Sequence, residues 1–248
     1  MKTVVKLGGN SMDELAALLD FVRAIPGEVI LVHGGAPQIS ALMQRVGLKG
    51  TFHEGLRVTD EATLEVTLMA LAGQVNKQIV VAAQQQGVPA VGISGLDGGL
   101  IQANLYRDGA LGRVGEVKKV ETGVLEALTA SGFIPVVSPL GLGPDGEPLN
   151  INADTSAAAI AAAVKADRLV FLTNVDGLLD GEGKTIAHIT PEGIEELKSA
   201  GVITQGMIPK MDSALKALQN GVGQVEIRNA AYGEGTKLRR TEHVQTVC

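Results

Sequence analysis

The sequence predicts an α/β fold, a three-layer sandwich whose central, mainly parallel sheet is covered by helices on both faces. Three observations predict it. Strand-like and helix-like segments alternate along 248 residues; the strand-like runs are continuously apolar; and glycines cluster where those runs end. A parallel sheet needs helical crossovers, and its strands are buried on both sides, so their runs do not alternate with polar residues. No Ser- or Pro-rich linker divides the chain. It reads as one unit, 1–248, with two lobes at roughly 1–160 and 161–248.

TVVKL reads as the first strand. MDELAALLDFVRAI places Leu15, Leu18, Leu19 and Val22 at helical spacing, and Pro26-Gly27 stops it. EVILVHGG is a second strand ending in glycines. APQISALMQRVGL is a helix with Pro37 near its first turn and Gly47 past its end. The stretch from ATLEV to QQQG is long and helical, with a break near Gly73. PAVGISG is a strand, and GLIQANLYRDGALGRVGEVKKV is a β excursion of short strands and turns. TGVLEALTASG is a helix and FIPVVSPL a buried strand. NADTSAAAIAAAVKA follows as a helix whose small side chains allow close packing. DRLVFLTNVDG is a strand, and LLDGEGKTIAHI a hairpin turned by Gly181-Glu182-Gly183. PEGIEELKSAG and KMDSALKALQNG are helices, and VGQVEIRNA is a strand.

A 45% hydrophobic share in recurring segments excludes disorder. A net charge of −6, with no tryptophan and no basic stripe, argues against a nucleic-acid groove. Cys248 is the single cysteine, so no intrachain disulfide forms. His33, His53, His188 and His243 show no zinc-binding spacing, and no metal site is expected. No secretory signal pattern is evident, and AAAIAAAVKA is too short to span a bilayer. A soluble cytoplasmic protein without a membrane partner is expected.

Parallel sheets bind ligands beyond the carboxyl ends of their strands. Those ends carry LGGN, HGGAP, ISGLDGG, SPLGLGPDG and LTNVDG. Bare backbone N–H groups there suit phosphate or carboxylate oxygens. Lys6 lies inside the first strand. It is either an edge-strand lysine facing water or a buried ammonium that needs an anion. GLGPDG matches GxGxxG after a strand, but Pro144 sits inside it and no helix follows promptly, so it reads as a surface hairpin rather than a dinucleotide fingerprint. HGGAPQ is an ordinary strand-to-helix turn or an oxyanion-type cradle built from the Gly34 and Gly35 amides. Arg57 in GLRVTD is a solvated loop arginine or a clamp for a carboxylate. NINAD crowds Asn150, Asn152 and Asp154 before a helix, where capping needs only one of them. Lys210, near a helix start, suits a phosphate arriving at that end.

Taken together, Val5-Lys6-Leu7-Gly8-Gly9, Val32-His33-Gly34-Gly35, Gly55-Leu56-Arg57-Val58-Thr59, Asn150-Ile151-Asn152-Ala153-Asp154, Leu172 to Gly177 and Gly206-Met207-Ile208-Pro209-Lys210 resemble the amino-acid kinase family in their order. Six motifs in sequence, running from residue 3 to about 230, carry the likeness. The resemblance implies the family's fold, with substrate and dimer contacts in the first lobe and nucleotide in the second. It implies transfer of a phosphoryl group from ATP, with Mg²⁺ on its phosphates, to the side-chain carboxylate of N-acetyl-L-glutamate. Lys6 and Lys210 would then flank the transferred group, and Asp154 would orient them. Gly34 and Gly35 would offer amides, with Gly8 and Gly9 close by. Arg57, Asn150 and Asn152 would hold the acetylated amino acid. Thr173, Asn174, Asp176, Gly177, Leu179, Val202, Ile203, Thr204 and Met207 would lie against the nucleotide. Ala36 stands where the family often has a third glycine, and Asn174 where many relatives have Asp. The Asn174 departure keeps a one-carbon-longer acetylated acceptor open. A non-catalytic sensor of amino acid or nucleotide is the reading from another class. The chain starts at the strand, whereas arginine-inhibited members carry a helix before it, so a homodimer without arginine feedback is expected.

Overall fold

In the computed structural model, residues 1–8, 15–203, 207–229 and 234–239 are described. The start of the first predicted helix, Gly9, Thr204, Gly206, His243 and Cys248 lie outside them. The first strand, β1 (Lys2–Leu7), is followed by α1 (Leu15–Arg23), β2 (Glu28–His33) and α2 (Ala36–Arg45). A short hairpin, β3 (Phe52–His53) and β4 (Leu56–Arg57), precedes the long helix. That helix runs as α3 (Glu61–Leu68), a π-helical turn (Met69–Val75) and α4 (Asn76–Gln85). The expected break at Gly73 is therefore a change of winding, not an interruption. Asp60 caps its start by accepting from the Thr63 amide at 2.8 Å. By length and composition the helix passes as a membrane span. Here Ile79 and Ala83 of α4 pack on the sheet, which is how a core helix uses such apolar length.

Next come β5 (Ala90–Ser94), β6 (Ile101–Leu105), β7 (Val114–Val120), α5 (Gly123–Ala130), β8 (Ile134–Ser138), β9 (Leu140–Leu142) and β10 (Pro148–Ile151). The chain closes with α6 (Ala153–Ala163), β11 (Arg168–Leu172), β12 (His188–Ile189), α7 (Pro191–Ser199), α8 (Ile208–Gln219), β13 (Gln224–Arg228) and β14 (Thr236–Leu238). The main sheet has the order β12-β14-β13-β11-β1-β2-β8-β5. Its pairs are parallel except β13 with β14. The second sheet closes on itself as β10-β7-β6-β9; β6 and β7 are the β excursion read from the sequence, and β9 and β10 complete it.

Alternation along β1 builds the three layers. Val4 packs with Ala157 and Ala161 of α6 and Met211 and Ala214 of α8. Val5 and Leu7 pack with Leu18, Leu19 and Val22 of α1 and with Ile79 of α4 on the other face. The alanines of α6 lie against those of α8, as expected from their size. In register, Leu7 pairs with Leu172 and with His33, so the carboxyl ends of β1, β2 and β11 finish level.

Two segments differ from the sequence reading. FIPVVSPL splits at Pro139: β8 stays in the main sheet while β9 joins the closed one. LLDGEGKTIAHI makes a single antiparallel bridge, Leu179 with Thr185, rather than a full hairpin. Asp180 Oδ1 accepts from the Glu182 and Lys184 amides, so a side chain closes the turn where a ladder was expected. β12 then pairs in parallel with β14. GLGPDG is indeed the turn of a hairpin: β9 and β10 pair antiparallel across it, and a strand follows the glycines instead of a helix.

Candidate active site

Lys6 occupies a central strand, with β11 on one side and β2 on the other. That removes the edge-strand reading. Its Nζ lies 2.8 Å from Asp154 Oδ1, and Lys210 Nζ lies 3.0 Å from both oxygens of the same carboxylate. Each lysine is only 8% exposed. The three side chains arrive from three elements of one layer interface. Asn152 caps α6, its Oδ1 accepting from the Asp154 and Thr155 amides at 2.9 and 3.1 Å. Asp154 thereby sits in the first turn, where the helix dipole favours a carboxylate. Lys210 lies in the first turn of α8, after Pro209, with its ammonium 4.9 Å above the Phe171 ring. The three polar groups of NINAD have separate tasks. Asn152 caps, Asp154 pairs the lysines, and Asn150 donates to Thr59 Oγ1 at 3.1 Å.

Electrostatics set the chemistry of this trio. Burial pushes the Asp154 carboxyl up, but Lys6 and then Lys210 outweigh it and hold the group below the usual carboxylate range. Lys210 is lowered to about 8 by burial first and by Lys6 second, against the pull of Asp154. One carboxylate facing two ammoniums leaves one positive charge in excess. A buried excess charge is costly until an anion meets it.

A cleft of about 190 Å³ opens beside the trio, lined among others by Lys6, Gly35, Arg57, Asn150 and Asp154. Arg57 is 6% exposed. Its guanidinium donates to Ser40 Oγ at 2.8 Å and the Ala36 carbonyl at 3.1 Å, touches Met43 Sδ, and stacks 4.5 Å from the Phe52 ring centre. None of these partners is an anion. Burial lowers its pKa.

The predicted amide cradle is narrower than expected. Gly34 N–H already donates to the Leu7 carbonyl at 3.0 Å, continuing the sheet, which leaves the Gly35 N–H to face the cleft. A Cβ at Gly35 would come within 2.6 Å of Leu71 Cδ2, so a larger residue there would have to push the Leu71 side chain aside. Gly8 borders a small crevice with Gly34 and His33. Ala36 opens α2, so the missing third glycine costs no left-handed backbone there.

Thr173 to Leu179 follow the carboxyl end of β11, beside β1, while Val202, Ile203 and Met207 lie between α7 and α8, and none of these described residues lines this cleft. Thr173 N–H donates to the Arg228 carbonyl, and its hydroxyl lies 3.3 Å from Asn174 Oδ1. Asp176 lies between Asn174 and Gly177, whose φ of 151° and contact with Thr236 favour glycine. Leu179 is 47% exposed. Val202 and Ile203 donate their amides to the Leu197 carbonyl, and the Ile203 side chain is buried in the core against which Met207 packs. Gly9 and Thr204 lie outside the described residues. Residue-by-residue reading missed Ser40, Met43 and Phe52 around Arg57, and Phe171 under Lys210. It also missed Thr59, two residues beyond Arg57, whose hydroxyl donates to the Arg57 carbonyl.

The amino acid kinase family model matches residues 1–229. The chain belongs to the amino-acid kinase family. Kinase membership implies the use of ATP. Among curated relatives, the acetylglutamate kinase of Methanopyrus kandleri is 46% identical, covering 95% of this chain and 99% of its own. That of Geobacillus thermodenitrificans is 45% identical, covering 94% and 93%. Among solved structures, smu.665 from Streptococcus mutans superposes with a TM-score of 0.87 at 31% identity, covering 96% of this chain and 98% of that one. A carbamate kinase from Giardia lamblia shares the amino-acid kinase fold at a TM-score of 0.74 and 14% identity, covering 97% and 98%.

Proposed function

We infer that the chain transfers the γ-phosphoryl group of ATP to the side-chain carboxylate of N-acetyl-L-glutamate, giving an acyl phosphate and ADP on the route to arginine. The observation that carries this is the buried trio of Lys6, Asp154 and Lys210, one positive charge in excess, opening onto a cleft with an anion-free Arg57 in its wall. Curated relatives of this name, at 45–46% identity over nearly the full chain, support it.

Arg57 takes the α-carboxylate of the acceptor by charge-assisted hydrogen bonds, and Asn150, steadied by Thr59, takes the amide. Asn152 spends its carbonyl oxygen on the helix cap, which leaves its NH₂ for the acceptor. The side-chain carboxylate then points at Lys6 and Gly35. A carboxylate oxygen is a nucleophile at neutral pH, so no general base is needed. It forms the new bond to the γ-phosphorus as the bond to the β–γ bridging oxygen breaks, and the electron pair leaves on ADP. Lys6, Lys210 and the Gly35 N–H stabilise the charge spread over the equatorial oxygens. Among the described residues no cluster of three His, Cys, Asp or Glu side chains could hold a metal. Mg²⁺ would arrive on the nucleotide phosphates and neutralise part of their charge.

The 1–160 lobe holds the acceptor and the 161–248 lobe the nucleotide, on the loops after β11 and before α8. A cytoplasmic homodimer fits as well. The exposed Val81 on α4 lies on the side of the edge strand β5, which offers a contact for a second copy. Asn174 favours testing the acceptor one carbon longer, N-acetyl-L-2-aminoadipate, beside acetylglutamate. Trapping the acyl phosphate with hydroxylamine, in the presence of ATP and Mg²⁺, gives hydroxamate fastest with N-acetyl-L-glutamate. A faster rate with the longer acid moves the assignment to it, and no hydroxamate with either leaves a sensor.

A further inference from the structure

His33 ends β2 and is 1% exposed, on the α1 and α4 side of the sheet, away from the lysines. Its Nδ1 lies 2.8 Å from the Gly34 carbonyl oxygen, and its Nε2 lies 3.2 Å from Asn76 Nδ2. Both contacts fix the same protonation state. A carbonyl oxygen only accepts, so Nδ1 carries the hydrogen. An amide nitrogen only donates, so Nε2 is bare. The orientation of Asn76 is fixed in turn: its Nδ2 also reaches the Val136 and Ile93 carbonyls at 2.8 and 3.2 Å, and its Oδ1 accepts from Lys77 Nζ at 2.9 Å. Burial lowers His33 to about 4, in keeping with a neutral ring.

The Gly34 carbonyl and the Gly35 N–H belong to one planar peptide, and in a trans peptide they point in opposite directions. Holding the carbonyl toward His33 therefore aims the Gly35 N–H away from it, into the cleft that Lys6 and Gly35 line. Two glycines in succession make that peptide free to rotate unless something anchors it. The anchor is tied to the π-helical turn. Leu71 and Val75 of this turn close on Gly35, and Asn76 is the next residue. Such turns often occur at functional sites.

We propose that His33, latched as its Nδ1–H tautomer by Asn76, is a positioning residue that aims the Gly35 N–H at the transferred phosphoryl group. It touches no substrate and acts only through the Gly34–Gly35 peptide. The proposal rests on the reading that Gly35 faces that group.

The test has two arms. In the full-length wild-type chain, ¹⁵N spectra of the imidazoles at neutral pH show His33 neutral and protonated on Nδ1. An Nε2–H tautomer or an imidazolium overturns the latch itself, whatever Gly35 does. In the second arm, His33→Leu lowers kcat about 10- to 100-fold while KM for ATP and for N-acetyl-L-glutamate stays within about threefold, as for a transition-state donor that is present but misaimed. His33→Asn, whose side-chain N–H reaches the same carbonyl, restores most of the lost kcat. A folded His33→Leu with unchanged kcat, beside an Nδ1–H wild type, overturns the role of Gly35 and with it the positioning. Rescue no better than leucine overturns the proposal too. Should His33→Leu not fold, the tautomer and the kcat of His33→Asn decide.

Discussion

Two polar networks flank the carboxyl ends of β1 and β2, one on each face of the sheet, and they use opposite electrostatics. On the α6 and α8 face, Lys6, Asp154 and Lys210 form a charged trio with positive charge to spare. On the α1 and α4 face, the neutral side chains of His33 and Asn76 are bonded to each other and to backbone carbonyls. The difference teaches what each face is for. An excess of charge waits for a ligand, because its own structure cannot satisfy it. A closed network waits for nothing and holds backbone in place. The Gly34–Gly35 peptide lies where the two meet.

The largest expected effect breaks the charged side. Lys6→Ala or Lys210→Ala lowers kcat on the order of 10²-fold or more, with smaller changes in KM, because each loses a donor that counts most in the transition state. Steady-state kinetics on both substrates check this. Next, Asp154→Asn removes the carboxylate between the two ammoniums and is expected to cost activity through both lysines. It also moves the basic limb of kcat/KM. In the parent that limb falls as pH rises through about 8, where free Lys210 loses its proton. Without Asp154 the charged form of Lys210 loses support, so the limb moves to lower pH. A limb that stays put, or moves up, contradicts the pairing. Arg57→Lys then separates binding from chemistry. It raises KM for N-acetyl-L-glutamate about tenfold with kcat nearly kept, since one point charge replaces a two-pronged clamp.

The neutral side is read through stability rather than turnover. His33 titrates near 4 in the folded chain against 6.5 for the free side chain. Above pH 6.5 both states are neutral and the contribution to stability is complete. As pH falls through 6.5 the unfolded chain takes up a proton that the folded chain refuses, and stability is lost until about pH 4, on the order of 3 kcal/mol in all. Asp154, lowered from 3.8, acts in the more acidic window below that value. Urea melts between pH 4 and 7 are expected to show a shallower slope for His33→Leu than for the parent.

Much of this was legible in the residues. Continuous apolar runs gave the parallel sheet, and Lys6 inside one of them was legible as a residue that either faced water at an edge or, if buried, needed an anion. The crowding in NINAD exceeded what one helix cap needs, and the structure divides it accordingly. What stayed hidden is what local periodicity cannot carry. Spacing says which face a side chain takes, not which distant side chain it meets there, so the convergence of Lys6 and Lys210 on Asp154 came from resemblance alone. His33 was read as a histidine without zinc spacing and as a member of a family motif, with no role of its own, because its partner Asn76 lies on a helix far along the chain. Asn76 did leave a sign: an amide beside Val75 on the buried side of α4 that Ile79 and Ala83 share. The spent amide of Gly34 was invisible because it depends on the register of β1 against β2.

The central claim is that Lys6 and Lys210, held by one carboxylate, serve one phosphoryl group together. A crystal structure with ADP, Mg²⁺, aluminium fluoride and N-acetyl-L-glutamate tests it most directly. Both lysine Nζ atoms and the Gly35 N are expected within about 3 Å of the fluorides, as hydrogen-bond donors to the transferred group. Fluoride bound away from either lysine, with that ammonium still engaged by Asp154 alone, would contradict the account.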